Sequence, residues 1–190
     1  MGVAAFIVIG ALVVLVVYGI SVYNGLISVK HNVDKAWANI DVLLKQRHDE
    51  LPKLVETCKQ YMKYEQETLE RIIKARQSVA IASDAGDMKA LGTAETALRA
   101  SLGQLFALAE AYPELKANDT FRHLQGRISE LENGISDRRE FYNDSVNINN
   151  VRIEQFPDVL FAGIARARGR DLLEFAEEEK KDLDMKALFS

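Results

Sequence analysis

The chain has 190 residues, with 24 Lys or Arg against 28 Asp or Glu, one Cys, three Pro and 11 Gly. A net charge of −4 gives no basic footprint for a nucleic acid, and the lone Cys58 excludes a disulfide framework or a CxxC zinc knuckle. So little Pro and Gly argues against a sheet of many turns, and against disorder.

Every charged side chain lies at or beyond Lys30. Val3 to Ile20 carries no charged or strongly polar group, and with Ser21 to Leu26 the run exceeds 20 residues. At 1.5 Å per residue that length matches a hydrocarbon core of about 30 Å. In lipid, only a helix satisfies every backbone group of a single span. A transmembrane helix is therefore predicted, with Val3, Phe6, Leu12, Leu15, Tyr18 and Ile20 along it. Tyr18 and Tyr23 fall where interfacial aromatics belong. A cleaved signal peptide fits less well, because there is no basic leading region and no clear A-x-A site. No Lys or Arg precedes the span, whereas Lys30, Lys35, Lys45 and Arg47 follow it, which points to a cytoplasmic C-terminal domain.

Beyond the span, Leu26, Val29, Val33, Ala36, Trp37, Ile40, Leu43, Leu44 and Leu51 form one helical stripe. Pro52 predicts a kink or a new helix start, since it removes one hydrogen bond and crowds the His48 carbonyl. The stripe resumes with Leu54, Val55, Cys58, Tyr61, Met62, Leu69, Ile72, Ile73, Val79 and Ala80. Ser83 to Asp87 reads as a turn, with Asp87 a cap for an Ala- and Leu-rich helix from Met88 to about Ala111. Tyr112-Pro113 ends that helix. Asn118 or Asp119 caps the next, whose stripe runs Phe121, Leu124, Ile128, Leu131, Ile135, Tyr142 and Val146. Glu130, Glu132, Asp137, Arg138, Arg139 and Glu140 lie off this stripe and read as a solvated face.

The fold expected is all-α: a single transmembrane helix followed by a long antiparallel bundle of the four-helix type. The boundaries expected are 1–26 for the anchor, 27–157 for the bundle, and 158–190 for a short C-terminal segment and charged tail. In that last part, Phe161 and Ile164 precede Arg166, Arg168 and Arg170, and Glu177 to Lys181 follow. A solvated tail, weakly ordered on its own, is the plain reading; a patch lying against anionic headgroups is the alternative.

His31, His48 and His123 lack metal-ligand spacing, and no Glu-x-x-His occurs for a two-metal site in a bundle. No phosphate-binding glycine loop is present. Cys58 sits on the apolar stripe as a buried thiol. No cofactor, no metal and no enzymatic activity are expected. Asn143, Asn147 and Asn150 recur at i, i+4 and i+7 with Asn149 alongside, and Asn is a poor helix former. Either an amide ladder against the first helix or a fraying end explains them, or they form an interaction face. Trp37 and Asp41 share another face. Tyr23, Asn24, Trp37, Asp41, Tyr142, Asn143, Asn147 and Asn150 are the candidate interaction residues.

Three stretches together resemble the LemA family of bacterial membrane proteins. They are Tyr23-Asn24-Gly25-Leu26, then Val33 to Arg47 (VDKAWANIDVLLKQR) running into Leu51-Pro52-Lys53-Leu54-Val55-Glu56, and Ala111 to Asn118 (AYPELKAN). Phe121, Leu124-Gln125, Glu132-Asn133, Arg138-Arg139, Phe141-Tyr142-Asn143, Val146, Asn150 and Phe156-Pro157 follow at the family's spacing. The likeness covers residues 20 to about 162, and Arg166 to Ser190 departs from the usual aromatic-rich ending. The resemblance implies a single-span helical protein of the bacterial cytoplasmic (inner) membrane, with no catalytic residues to carry over. The function expected is a non-enzymatic scaffold that contacts membrane lipid, self-associates or docks a membrane protein. A regulatory adaptor for a membrane enzyme, such as a protease or phosphatase, is the alternative.

Overall fold

A computed structural model describes residues 2–175. Among these residues the chain forms helices and no strands: α1 (Val3–Tyr61), α2 (Gln66–Ala85), α3 (Met88–Ala109), α4 (Pro113–Ala117), α5 (Asp119–Glu154) and α6 (Asp158–Ala162). The all-α expectation holds. The chain divides into two compact units, one taking Met1–Asn39 and Glu140–Asp171, the other taking Ile40–Arg139 and Leu172–Ser190. We call them unit 1 and unit 2.

Unit 1 holds the N-terminal part of α1. Between Val3 and Ser21 no side chain is buried; the first that is, Val22, opens a series with Leu26, Val33 and Ala36. The spacing of three, four and seven is that of one helix face turned to a core. The apolar stretch before it makes α1 one helix long and apolar enough to cross a membrane. The end of α5 supplies Tyr142, Val146 and Asn149 to the same interior.

Unit 2 packs the rest of α1, α2, α3, α4 and the first part of α5. Arg71 on α2 bonds Gln104 on α3 at 3.2 Å, Arg99 on α3 bonds Glu132 on α5 at 2.8 Å, and Arg127 on α5 bonds Gln46 on α1 at 3.1 Å. Short connections between consecutive helices run them antiparallel, as a bundle requires. Asp87 accepts a bond from the Ala90 amide at 2.9 Å and Asn118 one from Phe121 at 3.0 Å, so both predicted caps are in place. Gly86 adopts a left-handed φ of 66° to close α2, a conformation that suits glycine.

Of the kink or new helix start expected at Pro52, the new start does not occur: α1 continues to Tyr61, and the chain turns at 62–65 instead. A proline orphans the carbonyl four residues back, here that of His48. Arg76 of α2 donates its Nε–H to that carbonyl at 2.8 Å, so a neighbouring helix supplies the lost bond. Leu51, Leu54 and Val55 are buried on both sides of the proline, so the apolar face of α1 continues through it.

The segment after α6 corrects the expectation of a solvated tail. It carries no regular structure after 166, yet Ala165, Ala167, Leu173 and Phe175 are buried while Arg166, Arg168 and Arg170 point outward. The acidic and basic run Glu177 to Lys181 lies outside the described residues.

Candidate interaction site and buried charge cluster

The structure brings several of the predicted interaction residues together in unit 1. Trp37 and Tyr142 meet edge to face, with ring centroids 5.8 Å apart at 61°. Such pairs are favourable by about 0.5–1.5 kcal/mol beyond their area. Tyr142 is buried and donates its hydroxyl to the Asp171 carbonyl at 3.1 Å; burial raises its pKa. Tyr23 packs on a small cluster of Leu26, Ala165 and Ala167. Asn24 and Asn147 are exposed, Asn143 and Asn150 half-buried. Asp41 belongs to unit 2 and pairs with Lys45 at 2.6 Å.

The asparagine run has a partner that the sequence reading did not name. Asn149 donates to the Arg168 carbonyl at 2.9 Å. Asn150 donates to the Arg170 carbonyl and accepts from the Arg170 amide, both at 2.9 Å. An amide side chain carries one acceptor and two donors, so it pairs with an extended backbone as a neighbouring strand would. The ladder thus runs to the C-terminal segment and not to α1. Arg170 completes the clamp through Asp34 at 3.0 Å.

Unit 2 contains a charge cluster that no sequence expectation named. Arg47 on α1 is 1% exposed and bonds both Glu95 on α3 and Glu132 on α5. Arg99 closes the group on Glu132 at 2.8 Å. Two guanidiniums and two carboxylates balance in charge, which is what burial demands. Glu95 is wholly buried, and its Oε2 has no hydrogen-bond partner among the described residues. Burial pushes the Glu95 carboxyl above its usual range, against the pull of Arg47. Burial opposes the charge on Arg47, but Glu95 and Glu132 outweigh it and hold the guanidinium protonated. Glu132 and Arg139 therefore leave the solvated face expected for them. Arg139 lies 4.0 Å and Arg99 5.2 Å from the centre of the Phe175 ring, a cation–π arrangement from each. A Cβ on Gly92 would overlap the Glu174 carbonyl, so only glycine fits where that backbone crosses α3.

The signal for this cluster was present. Arg47 falls between Leu44 and Leu51 on the apolar stripe, and Glu95 falls between Leu91 and Leu98 on another. A charge in register with a core stripe marks a buried pair when a second helix carries its opposite.

The other reactive groups are occupied or inert. Cys58 is wholly buried and its thiol is pushed up to about 12. Burial and the neighbouring Arg76 lower the His48 pKa. Among the described residues no group of three or more His, Cys, Asp or Glu is placed to hold a metal ion.

The profile of the LemA family matches residues 36–186, most of the chain. The chain belongs to the LemA family. Three curated relatives share a shorter stretch of 89 residues with it. Magnetosome proteins MamQ 1 and MamQ 2 of Paramagnetospirillum magneticum are 34% identical there, and magnetosome protein MamQ of Magnetospirillum gryphiswaldense is 32% identical. The stretch is 47% of this chain but 33% of each relative, so the match spans about a third of their length. The LemA match takes in Arg47, Glu95, Glu132, Asn149 and Asn150, and leaves the uncovered apolar start of α1 outside it.

Proposed function

We propose that this LemA protein is a non-enzymatic scaffold, anchored in the bacterial cytoplasmic membrane by α1 and assembled from copies of itself. One observation carries the reading. The helix whose first part is apolar and uncovered continues without a break into the packed interior of unit 1. A bundle helix that is also the anchor presents the fold at a fixed angle to the bilayer, as a scaffold needs. The Lys and Arg that follow the span support a cytoplasmic side for the folded part.

The contact surface proposed lies on the outer side of α5 in unit 1. Phe141, Ile148 and Val151 are exposed at i, i+7 and i+10. Phe141 and Ile148 border a cleft of about 280 Å³ shared with Val29, Asn32 and Lys35 of α1. An apolar stripe rimmed by polar side chains marks a protein contact. Its occupant is a second copy, because Lys35 on the α1 side and the exposed Asp144 beside Phe141 offer each copy the opposite charge.

The test is the mass of the full-length protein in mild detergent. A fixed multiple of the chain mass is expected, falling to the monomer in Ile148→Asp. A monomer at every concentration overturns self-association.

A further inference from the structure

The chain around α6 has features that the anchor and the bundle do not use. Phe156, Leu160 and Ile164 are 80%, 64% and 70% exposed, an unusual density of bare apolar side chains. Between them Phe161 turns back on α1: a Cβ at Gly19 would come within 3.3 Å of its ring. Gly19 is part of the apolar stretch. With Val3 at the far edge of the hydrocarbon, position 19 lies about 24 Å in, and the core of about 30 Å ends near Tyr23. The α6 segment is thus held beside the last turns of a membrane helix.

Directly after it comes a basic group. Lys30, Arg166, Arg168 and Arg170 line a cleft of about 280 Å³ with Gly169. Arg170 is committed to Asp34 at 3.0 Å, whereas Lys30, Arg166 and Arg168 have no ion-pair partner among the described residues. On the same scale Lys30 lies about 10 Å beyond the hydrocarbon edge, within reach of the headgroups for a flexible basic side chain. Apolar residues at the edge of the hydrocarbon with cations just outside it are the two halves of an interfacial lipid contact.

We propose that residues 156–170 form a second membrane contact, in which Phe156, Leu160 and Ile164 enter the bilayer interface while Lys30, Arg166 and Arg168 hold the headgroup of an anionic phospholipid. The occupant is lipid, because the cleft takes Lys30 from α1 just beyond its apolar stretch and Arg166 two residues after the bare Ile164, whereas a phosphate free in solution would use only the cations. The proposal rests on the anchor reading of α1.

The experiment uses the full chain in bilayers of phosphatidylcholine with or without phosphatidylglycerol. An environment-sensitive fluorophore goes on Ile164→Cys, with Ser78→Cys as the water-exposed control; the native thiol at Cys58 is buried and does not label. The Ile164 probe is expected to shift to the blue and to be quenched by lipids brominated near the headgroup, and the Ser78 probe is not. Phosphatidylglycerol retained per chain after delipidation is expected to fall about fivefold for each charge removed in Lys30→Gln, Arg166→Gln and Arg168→Gln. Excess inorganic phosphate is expected to leave the retained lipid in place. A water-exposed Ile164 probe, lipid retention indifferent to the three substitutions, or displacement by inorganic phosphate each overturns the proposal. Alkaline extraction of the same vesicles separates the two levels. Release of the protein overturns the anchor itself, whereas an integral protein with a wet Ile164 overturns only the second contact.

Discussion

Units 1 and 2 draw on the same helices but are fastened by different chemistry. In unit 2, apolar stripes on four helical stretches form the interior, and charges buried in register, Arg47 with Glu95 and Glu132, join three of them. In unit 1 the interior is smaller, and asparagine side chains, an aromatic pair and two alanines fix an extended segment along a helix. Buried ions and backbone-pairing amides do the same kind of work. Each is costly when mispaired, so each selects one arrangement among many that would satisfy apolar burial alone. A helix stripe says which face is inside; these polar groups say against what.

The largest effect is expected where the ion is deepest. Arg47→Met leaves Glu95 buried without its cation and should cost about 3–5 kcal/mol in chemical unfolding. Adding Glu95→Leu to it should restore most of that loss, because the uncompensated charge is gone. If the double variant is as unstable as the single, the cluster is not a paired unit.

Next comes the clamp of unit 1. Asn149→Leu and Asn150→Ala each strand a backbone group of the C-terminal segment, at about 1–3 kcal/mol where that group is buried. The Arg170 amide, now bonded to Asn150, should exchange with solvent faster in Asn150→Ala, while amides around Arg47 keep their rates. Equal acceleration in both units would deny that the clamp is local.

Arg76→Ala removes the donor to the His48 carbonyl and should cost about 0.5–1.5 kcal/mol. Restoring the backbone bond with Pro52→Ala in the same chain should recover part of it. A loss unaffected by residue 52 would show that Arg76 acts by packing alone.

The smallest effect is in pH dependence. Burial sets the Glu95 pKa in the fold above that in the unfolded chain, with Arg47 and Arg99 pulling it down and Glu132 adding to the rise. The folded state then holds this proton more tightly. Its contribution is full below the ordinary glutamate value and is lost as pH rises through the raised one. Glu95→Gln should remove that fall from the plot of stability against pH. A slope unchanged in Glu95→Gln would assign it to another carboxyl.

Much of this was legible in the chain. The α1, α2 and α5 stripes, the caps at Asp87 and Asn118 and the apolar start follow from local rules, since each depends on residues within one or two turns. What escaped depends on a partner distant in sequence. Pro52 admits a new helix start until Arg76 is seen to supply the missing bond. Asn149 and Asn150 look like fraying until Arg168 and Arg170 lie beside them. The alternation Ala165, Ala167 is too short and too small-sided to stand out as a buried edge. For the candidate site the balance is similar: Trp37 and Tyr142 do meet, but Tyr142 and Asn150 are spent on internal bonds, and the exposed Phe141 and Ile148 were not singled out.

The account turns on lipid covering the start of α1. Leu15 and Ser78 are both exposed in the folded protein, Ser78 lies away from the proposed contact surface, and Cys58 is silent. The decisive measurement is the rate at which a membrane-impermeant maleimide modifies Leu15→Cys and Ser78→Cys in full-length protein held in lipid nanodiscs. The account predicts rapid modification at position 78 and essentially none at position 15. Equal rates at the two positions would contradict it.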